Sequence, residues 1–84
     1  MIMYTATYDE TEWTYWFGKL GPDIKERAVK KIAKIVESPY KRHLRGGARF
    51  FVDEIGQHRI VYRIFEQTLQ VKFYFIGTHK EYER

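Results

Sequence analysis

The two prolines of this 84-residue chain bracket one amphipathic segment and so restrict where a helix can lie. Pro22 suits the first turn of a helix, because its missing N–H would have no intrahelical partner there. Pro39 ends that helix, because the residue before a proline avoids the α region. Between the prolines, apolar residues recur along one helical face: Ile24, Ala28, Ile32, Ile35 and Val36. The sequence therefore predicts a helix that starts at Pro22, stops before Pro39 and keeps its lysines in solvent.

The segment before Pro22 predicts a strand and a first helix. Residues 2–7 are rich in β-branched and aromatic types, which favours a short strand. Asp9, followed three residues later by Glu12, has the spacing of a capping box at the start of a helix. Four apolar residues then follow at i, i+3, i+4 and i+7: Trp13, Trp16, Phe17 and Leu20. Because Gly21 breaks this helix directly before the second one, we expect a helical hairpin.

Three strand-like runs follow Pro39, at residues 49–53, 58–65 and 69–76. The links between them are short, which predicts an antiparallel meander. The element order is then β-α-α-β-β-β. We expect an α+β fold in which the helical hairpin packs on one face of a small, mainly antiparallel sheet. Residues 1–84 would form a single domain, and an aromatic content of 18% allows a compact core.

Strand alternation assigns residues to the two faces of this predicted sheet. In the second strand of the meander, Ile60, Tyr62 and Ile64 share one face, and Arg59, Val61, Arg63 and Phe65 share the other. In the last strand, Leu69, Val71, Phe73 and Phe75 share one face, and Gln70, Lys72, Tyr74 and Ile76 share the other. The first set in each strand would face the helices.

A two-residue turn between these strands would bring cations together. It would place Arg63 opposite Lys72, Val61 opposite Tyr74, and Arg59 opposite Ile76. Like charges in directly opposite positions are destabilising unless an anion binds between them. We interpret this as a phosphate-binding face. The alternative is that Arg63 and Lys72 extend into solvent or pair with Glu66 and Asp53.

Charge and composition indicate the partners and exclude several chemistries. The net charge is +4, and the excess lies after residue 39, with nine Lys and Arg against five Asp and Glu. Such a balance is typical of domains that bind nucleic acid. The chain has no cysteine, no glycine-rich phosphate loop and no cluster with metal-ligand spacing. An enzyme of this sequence would therefore work without a metal or cofactor, and without a membrane-spanning segment we expect it in the cytoplasm.

The C-terminal residues are a further candidate for chemistry. Gly77 can bend the backbone away from the sheet, which would place His79 and Tyr82 at its edge. A histidine can move a proton near neutral pH, and a tyrosine can stack on a base or donate a hydrogen bond. The alternative is a frayed polar terminus.

Three segments together resemble the RelE/ParE superfamily of toxins. Residues 39–46 are similar to the superfamily segment that ends the second helix and enters the sheet, and residues 56–64 resemble its most recognisable strand. Residues 71–82 resemble the ending of HigB-type members. The resemblance covers nearly the whole chain in the expected element order.

This resemblance implies the toxin of a type II toxin–antitoxin system. Such a toxin would be a metal-free endoribonuclease that cleaves messenger RNA on the ribosome and inhibits translation. The ribose 2′-hydroxyl would attack its neighbouring phosphate and leave a 2′,3′-cyclic phosphate and a 5′-hydroxyl end. A cognate antitoxin would block the site, and the complex would also bind operator DNA.

The resemblance also implies roles for individual residues. Arg59 would hold the scissile phosphate, His79 would be general acid or phosphate ligand, and Tyr82 would stack or transfer a proton. Six other cations would contact RNA phosphates: Lys41, Arg42, Arg45, Arg49, Arg63 and Lys72.

The general base is not assignable from the sequence. Some relatives carry a lysine pair on the first strand of the meander, whereas this strand has Arg49 followed by Phe50. The remaining candidates for the base are His43, His58, Asp53 and Glu54.

Two other functions stay open at this point. One is a ParE-like inhibitor of DNA gyrase that cleaves nothing, since the same fold hosts both activities. The other is an inactive or regulatory relative that acts only with its antitoxin.

Overall fold

A computed structural model describes residues 3–40, 42–44 and 47–82, and gives only the backbone of residues 42–44, 47, 48 and 82. The elements in chain order are β1 (Thr5–Tyr8), α1 (Glu12–Gly18), α2 (Pro22–Glu37), β2 (Arg42–Leu44), β3 (Gly47–Ile55), β4 (His58–Phe65), β5 (Gln70–Thr78) and α3 (His79–Tyr82). The strands form one five-stranded sheet in the order β1-β5-β4-β3-β2. Only the β1–β5 pair among these strands is parallel, so the predicted α+β class with a mainly antiparallel sheet is confirmed. None of the helices in these ranges is long and apolar enough to cross a membrane.

The second helix follows the sequence prediction closely. It begins at Pro22 and ends at Glu37, two residues before Pro39. Its buried residues come from the predicted apolar face: Ala28, Ile32 and Ile35. The proline spacing and the apolar period therefore fixed this element correctly, because both act on the local backbone.

The N-terminal elements differ in detail from the prediction. Strand β1 covers Thr5–Tyr8, later than the predicted residues 2–7, because it pairs with β5 from Thr5↔Gln70 to Tyr8↔Phe73. The Asp9 carboxylate accepts the backbone N–H of Glu12 at 2.8 Å, but the predicted capping box is incomplete, because the Asp9 N–H donates to the carbonyl oxygen of Phe73 at 2.9 Å and not to Glu12. Helix α1 then starts at Glu12 and buries Trp13.

The hydrophobic core lies between the helices and one face of the sheet. It consists of Trp13, Ala28, Ile32, Ile35, Phe51, Ile55, Ile60, Tyr62, Val71, Phe73 and Ile76. Tyr62 is at its centre, and the hydroxyl group donates a hydrogen bond to the carbonyl oxygen of Pro39 at 2.8 Å. Burial raises the pKa of Tyr62, so this hydroxyl stays a neutral donor. The loop at Pro39 is thereby tied to the sheet.

The segment between Pro39 and the first predicted strand of the meander also contains a strand. Residues 42–44 form β2 and pair antiparallel with β3, with Arg42 opposite Val52 and His43 opposite Phe51. Strand β3 is correspondingly longer than the predicted residues 49–53. The sequence did not predict β2, because a basic strand of three residues is too short to show hydrophobic alternation.

The register between β4 and β5 confirms one predicted pair and corrects two. Arg63 lies opposite Lys72, as expected. The register then shifts between Val61 and Tyr62, so that Val61 pairs with Phe75 and leaves Tyr74 as the extra residue of a bulge. Arg59 consequently pairs with Gly77 and not with Ile76.

This bulge also reverses the predicted faces of Phe75, which pairs with Val61, and of Ile76. Ile76 is fully buried in the core, although simple alternation places it on the opposite face. Leu69 lies outside β5 altogether, with a φ of 53° in the turn before it. A bulge changes the face of every later residue in its strand, because side-chain alternation has a period of two.

Candidate active site

The face of the sheet opposite the core carries three of the predicted site residues, Arg59, Arg63 and Lys72. We call it the outer face, and it carries Phe50, Val52 and Glu54 on β3, Arg59, Val61, Arg63 and Phe65 on β4, and Lys72, Tyr74 and Phe75 on β5. Val52 and Val61 lie opposite each other at its centre and are only 4% exposed. This valine pair separates two groups of polar and aromatic side chains.

The first group brings together two residues that the sequence singled out. Arg59 and His79 are 20 residues apart in the chain, yet the Arg59 Nη2 atom lies 3.4 Å from the His79 Nε2 atom. A carboxylate oxygen of Glu54 lies 3.6 Å from the same Arg59 nitrogen and 4.0 Å from His79 Nε2. We call these three residues the Arg59 cluster. It combines a fixed cation, a group that can transfer a proton and a proton acceptor.

The Arg59 cluster is assembled by the turn between β3 and β4 and by the end of β5. Glu54 and Arg59 are direct cross-strand partners, and Arg59 also pairs with Gly77 immediately before the turn that carries His79. The side chains of Arg59, Glu54 and His79 are 21%, 39% and 52% exposed. All three can therefore contact a ligand without unfolding of the sheet.

A cavity of about 550 Å³ adjoins this cluster. It is lined by Glu54, Gly56, Gln57, Thr78, His79 and Lys80. A cavity of this volume is in the range of small-molecule sites and can accept a nucleotide.

His79 is held by a capping box that the sequence analysis missed. The Glu81 carboxylate accepts the backbone N–H of Thr78 at 2.9 Å, and the Thr78 hydroxyl oxygen accepts the backbone N–H of Glu81 at 3.2 Å. The hydrogen bond from Thr78, supported by Lys19 at 3.5 Å, lowers the pKa of Glu81. The Thr-x-x-Glu spacing is a sequence signal for this motif. The chain therefore turns after Thr78 and not at Gly77, where we expected the bend.

Gly77 has a steric role next to this capping box. A Cβ atom at position 77 would lie 2.7 Å from the Phe75 ring and 2.8 Å from the Glu81 carboxylate. Any larger residue would therefore push against the group that holds α3 in place.

The second group on the outer face contains the cross-strand cations Arg63 and Lys72. The Arg63 guanidinium lies 4.7 Å from the ring centre of Phe65 and 5.8 Å from that of Phe50. Lys72 Nζ lies 5.5 Å from the Tyr74 ring and 4.0 Å from an Asp9 oxygen. These cations contact aromatic rings, an environment that the sequence analysis did not foresee.

The alternative ion pairs for Arg63 and Lys72 do not form among the described residues. Asp53 lies 3.9 Å from Lys31 on the helix side of the sheet. Glu66 accepts a hydrogen bond from the Tyr40 hydroxyl. Both carboxylates therefore have other partners.

The remaining predicted site residues divide into three cases. Arg49 is exposed, but alternation puts it on the side of Phe51, away from Arg59. Arg42 and His43 are placed by their backbone in β2, and Tyr82 is the last residue of α3. Lys41 and Arg45 lie outside the described residues. The roles of all these residues stay predictions.

Two of the four candidate bases are set apart from Arg59 by strand alternation. His58 is adjacent to Arg59 on β4 and so faces the other side, and Asp53 is adjacent to Glu54 on β3. Within the described ranges, no three His, Asp or Glu side chains are grouped so that they could hold a metal ion. Glu54 is the candidate base that lies in the Arg59 cluster.

Comparison with known proteins gives a clear result at the level of structure. No protein-family model matches the sequence, and no curated protein matches it significantly. A mutant of the E. coli toxin RelE in the free state is similar with a TM-score of 0.80 and 25% identity, over 96% of this chain and 88% of that chain.

Two toxin–antitoxin complexes are similar as well. The E. coli RelBE complex matches with a TM-score of 0.78 and 25% identity, over 89% of this chain and 95% of that chain. The RelBE complex from Mycobacterium tuberculosis matches with a TM-score of 0.84 and 24% identity, over 94% of both chains. These likenesses confirm the resemblance to the RelE/ParE superfamily and support a RelE-like toxin.

Proposed function

We propose that this chain is the toxin of a type II toxin–antitoxin system and that it acts as a metal-free endoribonuclease on messenger RNA. The observation that carries the proposal is the Arg59 cluster, which places a cation, a histidine and a carboxylate within 4.0 Å of one another on a RelE-like fold. A gyrase inhibitor that cleaves nothing has no need of this combination.

The proposed reaction is an intramolecular phosphoryl transfer. Glu54 takes the proton from a ribose 2′-hydroxyl, whose oxygen attacks the neighbouring phosphorus. Arg59 stabilises the charge on the phosphorane oxygens, and His79 gives a proton to the 5′-oxygen as its bond to phosphorus breaks. The products are a 2′,3′-cyclic phosphate and a 5′-hydroxyl end, and no metal or cofactor takes part.

The position and exposure of each residue suit its proposed role. Arg59 stays charged at any physiological pH and is fixed by cross-strand pairing to Glu54 and Gly77. His79 sits on the capped turn after β5 and is about half exposed. Tyr82 follows three residues later in α3, and we propose that it stacks on a base next to the cleaved bond.

The proposed partners follow from charge and from the similar structures. A net charge of +4 favours RNA, and we propose the ribosome with its bound message as the target. The cations Lys41, Arg42, Arg45, Arg49, Arg63 and Lys72 would contact phosphates. E. coli RelE has been solved with an antitoxin RelB peptide, and we propose a RelB-like antitoxin for this chain, with operator DNA as a target of the complex. The finer likeness to HigB-type toxins stays a prediction.

The test is expression of the wild type and of Arg59→Ala and His79→Ala in growing cells. We expect the wild type to arrest growth, stop protein synthesis and leave message fragments with 5′-hydroxyl ends. Both variants should lose these effects at equal protein levels, whereas Lys25→Ala, on the helix layer, should retain them. Two results would contradict the proposal: unchanged message cleavage in both variants, or loss of DNA supercoiling while protein synthesis continues.

A further inference from the structure

The outer face carries an aromatic group at the end away from the Arg59 cluster. Phe50, Phe65 and Tyr74 surround the two cations Arg63 and Lys72, and we call these five residues the aromatic patch. The rings of Phe50 and Tyr74 are 5.5 Å apart and nearly perpendicular, at 78°. All five side chains are partly exposed. The patch therefore presents aromatic surface and positive charge to a ligand.

The charge balance of the aromatic patch favours an anionic ligand. Arg63 has no carboxylate within 4.0 Å among the described residues and packs on the rings of Phe65 and Phe50. Lys72 Nζ lies 4.0 Å from one carboxylate oxygen of Asp9. Two cations face each other across the strands with one acidic partner. A bound phosphate would relieve the repulsion between them.

Rings and cations in one patch fit a specific class of ligand. Unpaired bases stack on aromatic side chains, and their phosphates pair with Arg and Lys. A paired RNA helix buries the faces of its bases and cannot use the rings in this way. An acidic peptide would use the cations but would leave the rings without stacking partners. Single-stranded RNA uses both features.

The position of the aromatic patch relates it to the Arg59 cluster. Arg59 and Arg63 lie four residues apart on β4, which corresponds to about 13 Å along the strand. Val61 lies between them on β4 and is buried, as is its partner Val52 on β3. Because stacked nucleotides rise by only about 3.4 Å, the two sites would contact different nucleotides of one strand.

We propose that the aromatic patch is a stacking subsite for unpaired bases of single-stranded RNA, which binds bases flanking the cleaved bond. This inference rests on the proposed function for the identity of the nucleic acid. It goes further in naming Phe50 and Phe65, to which the sequence analysis gave no role in the site, as residues that bind substrate. Some relatives carry a lysine pair on the first strand of the meander. In this chain, Phe50 on the same strand would instead stack on a base.

The test measures binding without cleavage. The probes are a short single-stranded RNA with 2′-O-methyl groups, which cannot be cleaved, and an abasic strand of equal length and charge. Fluorescence anisotropy at one fixed salt concentration reports the affinity of the full chain for each strand, because phosphate contacts depend on salt. We expect the strand with bases to bind at least about fivefold more tightly.

Variants of Phe50 then locate this preference. Phe50→Leu keeps an apolar side chain but removes the ring, and it should lose most of the preference for bases. Phe50→Tyr keeps the ring and should retain the preference within about twofold. Tyr15→Ala, which removes an aromatic side chain that is 59% exposed on α1, is the matched control and should bind like the wild type. Thermal unfolding of each variant confirms that it is folded.

The outcomes separate this inference from the proposed function. Equal affinity for the two strands, no measurable binding, or a Phe50→Leu variant that discriminates like the wild type would overturn the subsite. His79→Ala should abolish cleavage and keep the preference for bases. One outcome is that the Arg59 and His79 variants behave like the wild type in cells, while the preference for the strand with bases depends on Phe50. The stacking subsite is then supported and the proposed nuclease activity is contradicted. The other outcome is that cleavage depends on His79 but the two strands bind equally. The proposed nuclease activity is then supported and the stacking subsite is contradicted.

Discussion

The two faces of one sheet differ sharply in what their side chains do. The face toward α1 and α2 is apolar and closed, with Ile60, Tyr62 and Phe73 fully buried. The outer face, formed by the alternate residues of the same strands, carries the cations, the exposed carboxylate of Glu54 and partly exposed rings. The proposed binding residues therefore alternate with core residues along one strand, and substitutions at adjacent positions should separate binding from stability.

The largest contrast should appear at two adjacent residues of β5. Phe73 is fully buried and lies 5.5 Å from the Tyr62 ring and 5.7 Å from the Trp13 ring. Phe73→Ala should lower the free energy of unfolding by about 3–5 kcal/mol. Tyr74→Ala, on the outer face, should lower it by about 1 kcal/mol or less. Urea denaturation of both variants measures the difference. Equal decreases in the free energy of unfolding would contradict the claim that the outer face contributes little to stability.

A smaller effect is expected where the sheet meets α3. Gly77→Ala places a methyl group against the Phe75 ring and the Glu81 carboxylate, and overpacking of this kind costs about 1–3 kcal/mol. Gly18→Ala is the matched control, because a Cβ atom at position 18 meets nothing within 4 Å. It should be neutral or stabilise α1 by up to about 1 kcal/mol. Denaturation midpoints compare the two, and a harmless Gly77→Ala would contradict the tight contact.

The capping box should contribute less, and its contribution should depend on pH. The pKa of Glu81 is lowered in the folded chain from its ordinary value of 4.5. The stabilisation is therefore complete above that value and is lost as the pH falls through the folded pKa. Glu81→Gln should cost about 1 kcal/mol at neutral pH.

Unfolding measured from pH 7 down to pH 3 tests whether the contribution of Glu81 decreases with falling pH. The difference between the wild type and Glu81→Gln should shrink as the solution becomes acidic. A difference that stays constant over this range would show that the charge of Glu81 is not involved.

The smallest effect is expected on the solvent side of α2. Lys30 and Glu26 are 3.9 Å apart and both 74% exposed. Removing either charge should change the free energy of unfolding by less than about 0.5 kcal/mol. A double-mutant cycle of Lys30→Ala and Glu26→Ala measures the pair directly. A coupling energy well above this value would show that this exposed ion pair does contribute to stability.

The sequence predicted those parts of the fold that depend on local periodicity. Helix α2 has two prolines at its boundaries and a continuous apolar face, so its position and its buried side were predictable. The pairing of Arg63 with Lys72 was predictable as well, because it depends only on the short connection between β4 and β5. Both features are set by residues close together in the chain.

The bulge at Tyr74 could not be read from the sequence. Residues 73–76 are four consecutive large apolar residues, Phe-Tyr-Phe-Ile, so alternation fits either face equally well. The shift becomes visible only when Tyr62 is paired with Phe73 and Val61 with Phe75. The short edge strand β2 was missed for the related reason that three residues carry no period.

The candidate site was predictable in its members and less so in its arrangement. Arg59 and His79 were identified from strand alternation and from resemblance, but the third member, Glu54, was one of four candidates for the base. Its selection needs the register that places it opposite Arg59. The capping box around His79, by contrast, has a local sequence signal in the Thr-x-x-Glu spacing of Thr78 and Glu81.

The most direct test of the account is the rate of message cleavage on programmed ribosomes under single-turnover conditions. Arg59→Ala, His79→Ala and the double variant are compared with the wild type. If both residues act on one phosphate, each single variant should lose about 10²–10⁴-fold in rate. The double variant should then lose little more than the slower single variant, because residues that act as a unit are not additive. Single variants that cleave at the wild-type rate would contradict the assignment of the Arg59 cluster as the active site.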